Sequence, residues 1–246
     1  MRRTVLAPLV LALPLVALPF VAVGSATADG AANANLAPVA PNTESGEGTA
    51  MVKVTGQTLE FTLAASQLAE GPHAAHIHFG ADARHECPNP DEDADGDGRL
   101  NTTEGGPAYG PVVVSLTRSG DTSAESTLAV DRFASGTEIS YMRGGVTVEP
   151  AVATAIESGE AVVVIHGVAY EGERAAAKSD LDPALPASAT DPALCGVLSA
   201  APAGGAATGG GGAAPSSNAV VLGLGGAALV AAAGAAAVAT RRPREQ

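Results

Sequence analysis

Two cysteines in 246 residues are too few for a disulfide-scaffolded mini-domain. Basic residues are also scarce, with 13 Lys and Arg against 26 Asp and Glu and a formal net charge of −13. A chain of that sign repels phosphate, which excludes a nucleic-acid binder. The sequence has no Gly-x-Ser-x-Gly, no His-Glu-x-x-His and no phosphate-binding glycine loop, so the common hydrolase and nucleotide-site signatures are missing. It shows no internal repeat. Tryptophan is absent and aromatics make up 3%, yet the mean hydropathy is +0.20. A positive hydropathy beside a large acidic excess points to segregation, with apolar segments in one place and an acidic soluble part in another.

Both ends read as addresses. Residues 1–28 run from Met1-Arg2-Arg3 through an apolar stretch to Ser25-Ala26-Thr27-Ala28, the layout of a secretory signal peptide cleaved after Ala28. Residues 219–240 are 22 positions without a charge, followed by Arg241, Arg242 and Arg244. That length crosses about 30 Å of hydrocarbon as a helix and keeps the basic tail, 241–246, cytoplasmic. Residues 200–218 are Ala/Gly/Pro/Ser-rich around Gly209-Gly210-Gly211-Gly212, a flexible tether. No LPxTG-type sorting signal is present, so the expected localisation is an exported domain held at the cell membrane by a single pass. Residues 29–218 carry 8 Lys and Arg against 25 Asp and Glu, hence a net charge of −17. Such a surface favours cations and disfavours anionic polymers.

Residues 35–199 read as one all-β domain. Short alternating runs at 50–55 and 58–63 flank Gly56-Gln57, a hairpin signal. Further strands are expected at 74–79, 112–117, 126–130 and 138–142. The continuous apolar run Ala161-Val162-Val163-Val164-Ile165-His166 reads as a strand buried on both faces. Gly and Asp clusters punctuate these runs, as in a sandwich or barrel. Residues 148–158 predict one short helix.

Three features carry chemistry. In Gly71-Pro72-His73-Ala74-Ala75-His76-Ile77-His78, a strand would put His76 and His78 on one face, and His166 ends the other strongly apolar strand. Three imidazoles suit copper or zinc, although a lone His-x-His pair serves equally in a packed strand. Asp93, Asp95 and Asp97, Gly98, the Arg99 carbonyl, Asn101 and Glu104 occupy the ligand and turn positions of a calcium loop, with Leu100 packing inward. The alternative is a solvated acidic loop. Pro88 and Pro90 before it and Gly105-Gly106-Pro107 after it argue against flanking helices. Cys87 and Cys195, the only two in an exported chain, are expected to pair, free thiols being the alternative.

These residues resemble two families. His76-Ile77-His78 with Cys87, Leu194-Cys195-Gly196-Val197-Leu198 and Val163-Val164-Ile165-His166 resemble the copper-loop, C-terminal and last-ligand segments of Cu/Zn superoxide dismutases. The chain is also similar to a CHRD domain through Ala37-Pro38-Val39, Gly46-Glu47-Gly48-Thr49-Ala50, Ala75-His76-Ile77-His78 and Gly110-Pro111-Val112-Val113-Val114-Ser115-Leu116. Together they cover about 35–199 and imply a single Greek-key sandwich or barrel of superoxide dismutase-like fold, with a residual copper site. His73 matches a position that is structural in the dismutases. The departures weigh against dismutation. The region of the bridging and zinc-ligand residues is acidic and lacks His, His85 precedes Cys87 instead of following it, and Pro192 replaces the guiding Arg. The resemblance implies the barrel and a residual copper site, and with the calcium loop the expectation is a non-catalytic binding or structural module at the cell surface, calcium-stabilised and bacterial in composition. A copper-dependent extracytoplasmic oxidoreductase acting on superoxide is the alternative.

Overall fold

The computed structural model describes residues 29–201. Residues 1–28, expected to be a signal segment, and the expected tether, membrane span and basic tail beyond residue 201 lie outside the described residues. Among those described, no helix is long and apolar enough to cross a membrane.

The chain is mostly β. In order, the elements are β1 (Asp29–Pro38), β2 (Glu47–Thr55), β3 (Thr58–Ser66), β4 (Pro72–His73), β5 (Ala75–His78), α1 (Thr102–Tyr109), β6 (Val112–Ser115), β7 (Ala134–Ser135), β8 (Ile139–Thr147), α2 (Pro150–Ser158), β9 (Val162–His166), α3 (Ala187–Thr190), β10 (Pro192–Val197) and β11 (Ser199–Ala200). Nine strands form one antiparallel sheet in the order β6-β5-β9-β10-β1-β2-β3-β8, with β11 paired to β1. The sheet curls into a half-barrel. Its two edges are joined by side chains where a backbone ladder is missing: Tyr141 Oη on β8 donates to the Leu116 carbonyl at 2.6 Å, and Arg143 Nη1 donates to that of Thr117 at 2.9 Å.

Period-two burial explains the strands. In β2 and β3, Ala50, Val52, Val54, Leu59, Phe61 and Leu63 point inward and are buried, while Lys53 and Glu60 face out. Gly56 opens the two-residue turn between them at φ 60°, a conformation that costs glycine little. α2 covers the core with Val152, Ala153, Ala155 and Ile156, starting on Pro150 and ending at left-handed Gly159, as the 148–158 pattern predicts.

The structure differs from expectation at three points. Strand β1 runs from Asp29, ahead of the runs expected to be β. β1 alternates Ala32, Ala34 and Leu36 inward with Ala31, Asn33 and Asn35 outward, and the small size of alanine hides the alternation. Residues 126–130 form no strand but lie in 3₁₀ turns, Ala124–Ser126 and Val130–Arg132. The Asp121 carboxylate gathers the Ser123 and Ser126 hydroxyls there, each at 2.7 Å, and this local bonding competes with sheet pairing. Finally, α1 follows the acidic loop directly despite its glycines and Pro107. Asn101 caps it, with its side chain accepting from Glu104 N at 3.0 Å while Glu104 Oε2 accepts from Asn101 N at 3.0 Å. Gly105 is required, since a Cβ there would sit 2.6 Å from Tyr109 Cε1.

β5 and β9 are buried on both faces, as the apolar run at 161–166 predicts. Ala75, Ile77, Val163 and Ile165 enter the main core, while Val162 and Val164 join Val39, Tyr109 and Cys195 in a second cluster under the loops. The Cys87–Cys195 disulfide pins that loop layer to β10, with Cα atoms 5.7 Å apart.

Candidate functional site

The sheet fixes where the three histidines meet. β5 and β9 are antiparallel neighbours, and the register sets His76 opposite Val164. His76, His78 and His166 therefore project from the face opposite Ile77 and Ile165, into the space under the loop layer. One nitrogen of each ring lies within 4.8 Å of the others, and all three residues are buried. Ring centroids are 5.8 Å apart for His76 and His78, 5.1 Å for His76 and His166, and 6.1 Å for His78 and His166.

The second nitrogen of each ring is spoken for. His78 Nδ1 faces the Gly110 carbonyl at 2.8 Å, His166 Nδ1 that of Thr190 at 2.5 Å, and His76 Nε2 that of Thr127 at 3.2 Å. A carbonyl can only accept, so each of these nitrogens carries the hydrogen and donates it. The lone pairs are left on His76 Nδ1, His78 Nε2 and His166 Nε2, all buried and without a hydrogen-bond partner. Three unpaired acceptors pointing together are costly in a metal-free protein. A backbone carbonyl fixing the opposite nitrogen is the outer-shell arrangement of metal-binding histidines.

Protonation is disfavoured by the same packing. Burial lowers His78 to about 3 and His166 to about 4, and holds His76 well below the ordinary imidazole value. For His76 and His78, the neighbouring imidazoles add to the effect. At neutral pH the three rings are uncharged ligands. Tyr109 stands against His78 with ring centroids 4.5 Å apart, and Phe133 meets His76 edge-on at 5.4 Å. His73 is different: its ring nitrogens face the carbonyls of His166 at 2.9 Å and Ala69 at 2.8 Å, and it is not part of the three-histidine cluster. His85 lies apart, with Nε2 at 2.8 Å from the Gly80 carbonyl.

Of the acidic loop's four expected carboxylate ligands, three converge. Carboxylate oxygens of Asp93, Asp95 and Glu104 lie within 4.8 Å of one another. Asp97 turns to Arg99 instead, accepting from Nε at 2.9 Å and Nη2 at 2.7 Å. Asn101 spends its carbonyl oxygen on the cap of α1. The loop is folded around Asp93, whose carboxylate accepts from the backbone of Gly96, Asp97 and Gly98. Leu100 is buried as expected, and Asn42 holds its backbone at both ends, at 2.7 and 2.8 Å.

This loop is wired to the histidines. Thr102 Oγ1, opening α1, donates to the same Thr190 carbonyl that fixes His166, at 2.9 Å. Gly110, closing α1, supplies the carbonyl that fixes His78. Arg99 Nη1 donates to Asp191 Oδ2 at 2.8 Å, as does Tyr170 Oη. The carbonyls of Gly110, Thr127 and Thr190 are the site residues that sequence reasoning missed, because a backbone oxygen leaves no mark in residue type. The aromatics Tyr109 and Phe133 did leave one, being two of seven Tyr and Phe in the chain.

Comparison with known protein families matches the CHRD domain over residues 25–174, more than half of the chain. The chain belongs to the CHRD domain family. No individual curated protein matches it.

Proposed function

We propose that this protein is an exported CHRD-family binding module whose centre is a buried transition-metal site held by His76, His78 and His166. The observation that carries this reading is the trio of unpartnered, buried ring nitrogens within 4.8 Å of one another. Copper fits best: three neutral imidazoles satisfy it, and proton competition is weak because burial keeps the rings uncharged. In this reading the segments at 1–28 and 219–240 export the domain and anchor it to the membrane.

The resemblance to Cu/Zn superoxide dismutases supports the same ligand set, and the antiparallel juxtaposition of β5 and β9 is compatible with it. A role as a copper-dependent oxidoreductase acting on superoxide is less well supported. The anion would cross a surface of net charge −17, and Pro192 stands where a guiding Arg would be. The deciding experiment is elemental analysis with copper calorimetry on the purified protein. One copper per chain is expected, lost in His78→Ala. A His78→Ala variant that binds copper with unchanged affinity would refute the assignment.

A supporting role for calcium at Asp93, Asp95 and Glu104 rests on the calcium-loop spacing and on the convergence of these carboxylates. Calcium should raise the melting temperature, and Asp95→Asn/Glu104→Gln should abolish that rise.

A further inference from the structure

His76, His78 and His166 all line a cavity of about 380 Å³, toward the lower end of the range for small-molecule sites, roughly 300–1,000 Å³. Sixteen residues line it, and none is Asp, Glu, Lys or Arg. Ala74, Val112, Ala189 and the ring of Tyr109 form much of the wall, and Leu128 and Leu181 contribute side chains that are 38% and 43% exposed. Four lining residues carry hydroxyls, and each hydroxyl already donates within the protein. Thr102 donates to the Thr190 carbonyl at 2.9 Å, Tyr109 to that of Thr102 at 3.1 Å, and Thr127 to that of Ala124 at 2.5 Å. Thr190 donates to Ser179 Oγ at 2.7 Å.

The wall therefore offers an incoming molecule apolar contact and no free hydroxyl donor or cation. A carboxylate, phosphate or oxyanion would find no cation and no free hydroxyl on the wall itself, so only the bound metal could offset its lost hydration. An uncharged apolar molecule loses little on entry and buries surface against Leu128 and Leu181. From this we infer that the cavity is a binding site for a largely apolar small molecule, held by its apolar body and reaching the metal position through a single donor atom. The inference rests on the three-histidine reading, and it sets the ligand class that reading leaves open.

The test uses the full-length protein loaded with copper(II), with imidazole, 4-phenylimidazole and azide as probes. Calorimetry gives affinities, and electron paramagnetic resonance reports whether the donor reaches the metal. Expected is 4-phenylimidazole binding at least about tenfold tighter than imidazole, from burial of the added ring, while azide, which has no apolar body, reports on the metal alone. Leu128→Asn/Leu181→Asn should erase the gain of the phenyl group while copper binds as before. Neither leucine is packed in a core cluster, so the variant should fold. Equal affinity for the two imidazoles would overturn the inference while leaving the metal site intact. Failure to take up copper at all would instead overturn the three-histidine reading, and this one with it.

Discussion

Arg99 and Asp191, 92 positions apart, are joined by a 2.8 Å hydrogen bond from Nη1 to Oδ2. The Asp191 side chain is fully buried, and Arg99 is nearly so. The pair ties the acidic loop to the segment whose Thr190 carbonyl orients His166. Removing one partner of a buried pair strands the other charge, which costs about 3–5 kcal/mol. Arg99→Met should therefore lower unfolding stability by that order in urea titration. Copper affinity should fall as well, by about 10–100-fold, the usual effect of disturbing an outer-shell support. The double variant Arg99→Met/Asp191→Leu should recover much of the stability, because it leaves no orphaned charge. Additive losses in the two single variants would refute the coupling.

Metal sites are maintained at the expense of the empty protein. His166 Nε2 is a buried acceptor without a partner, and an unmet polar atom of this kind costs about 1–3 kcal/mol. In His166→Leu that cost disappears, and the Thr190 carbonyl keeps its bond from Thr102. The metal-free variant should melt no lower than the metal-free wild type. The rise in melting temperature that copper gives the wild type should vanish. A marked loss of stability in the metal-free variant would assign His166 a purely structural role.

The strands that face one core and one solvent side were legible, because Val, Leu and Phe alternate with Lys, Glu and Thr in β2 and β3. β1 was not, because alanine serves on both of its faces. The histidines could be singled out because His76 and His78 share a strand face and His166 ends an apolar run. What distinguishes them from packed histidines was invisible, since it lies in three carbonyls brought in by loops far along the chain. His73 makes the contrast: the same residue type, three positions before His76, has a backbone carbonyl facing each ring nitrogen and stands outside the cluster. α1 escaped notice because breaker residues were weighed without the cap. Pro107 sits inside this eight-residue helix and forfeits one backbone hydrogen bond there, while the Asn101 and Glu104 capping box supports the start. The calcium-loop spacing was likewise only half informative. A spacing rule assigns Asp97 inward, whereas the guanidinium of Arg99 two residues on draws it away.

The disulfide holds more than one layer. Cys87 begins the segment that becomes the acidic loop and α1, and Cys195 lies on β10 between β9 and β1. The two are 108 positions apart in sequence, and closing a loop of that length stabilises by about 4–5 kcal/mol on chain-entropy grounds. Cys87→Ser/Cys195→Ser should lose stability of that order in denaturant titration. Since α1 supplies or supports the carbonyls that fix His78 and His166, copper affinity should drop together with stability. A variant that keeps full copper affinity would show that α1 is held by Asn42, Arg99 and Thr102 alone.

Acid should destabilise the metal-free protein through the same three histidines. The unfolded chain takes up a proton on each near pH 6.5, whereas burial lowers His78 to about 3 and His166 to about 4 in the folded state and pushes His76 down as well. Between these limits the unfolded state binds more protons, so stability is complete above about pH 6.5 and declines as pH falls. Each histidine contributes up to about 1.4 kcal/mol per pH unit. Asp191 acts in the opposite sense: burial raises it to about 6 against the pull of Tyr170 and Arg99, so its protonation favours the folded state as pH falls through that value. Its contribution is common to wild type and His166→Leu, and cancels when the two are compared. Urea titrations from pH 7 to pH 5 on metal-free protein should thus show a shallower loss in His166→Leu, by up to about 1.4 kcal/mol per pH unit. Identical slopes would mean that His166 titrates normally in the folded chain, and that its burial does not keep the ring neutral.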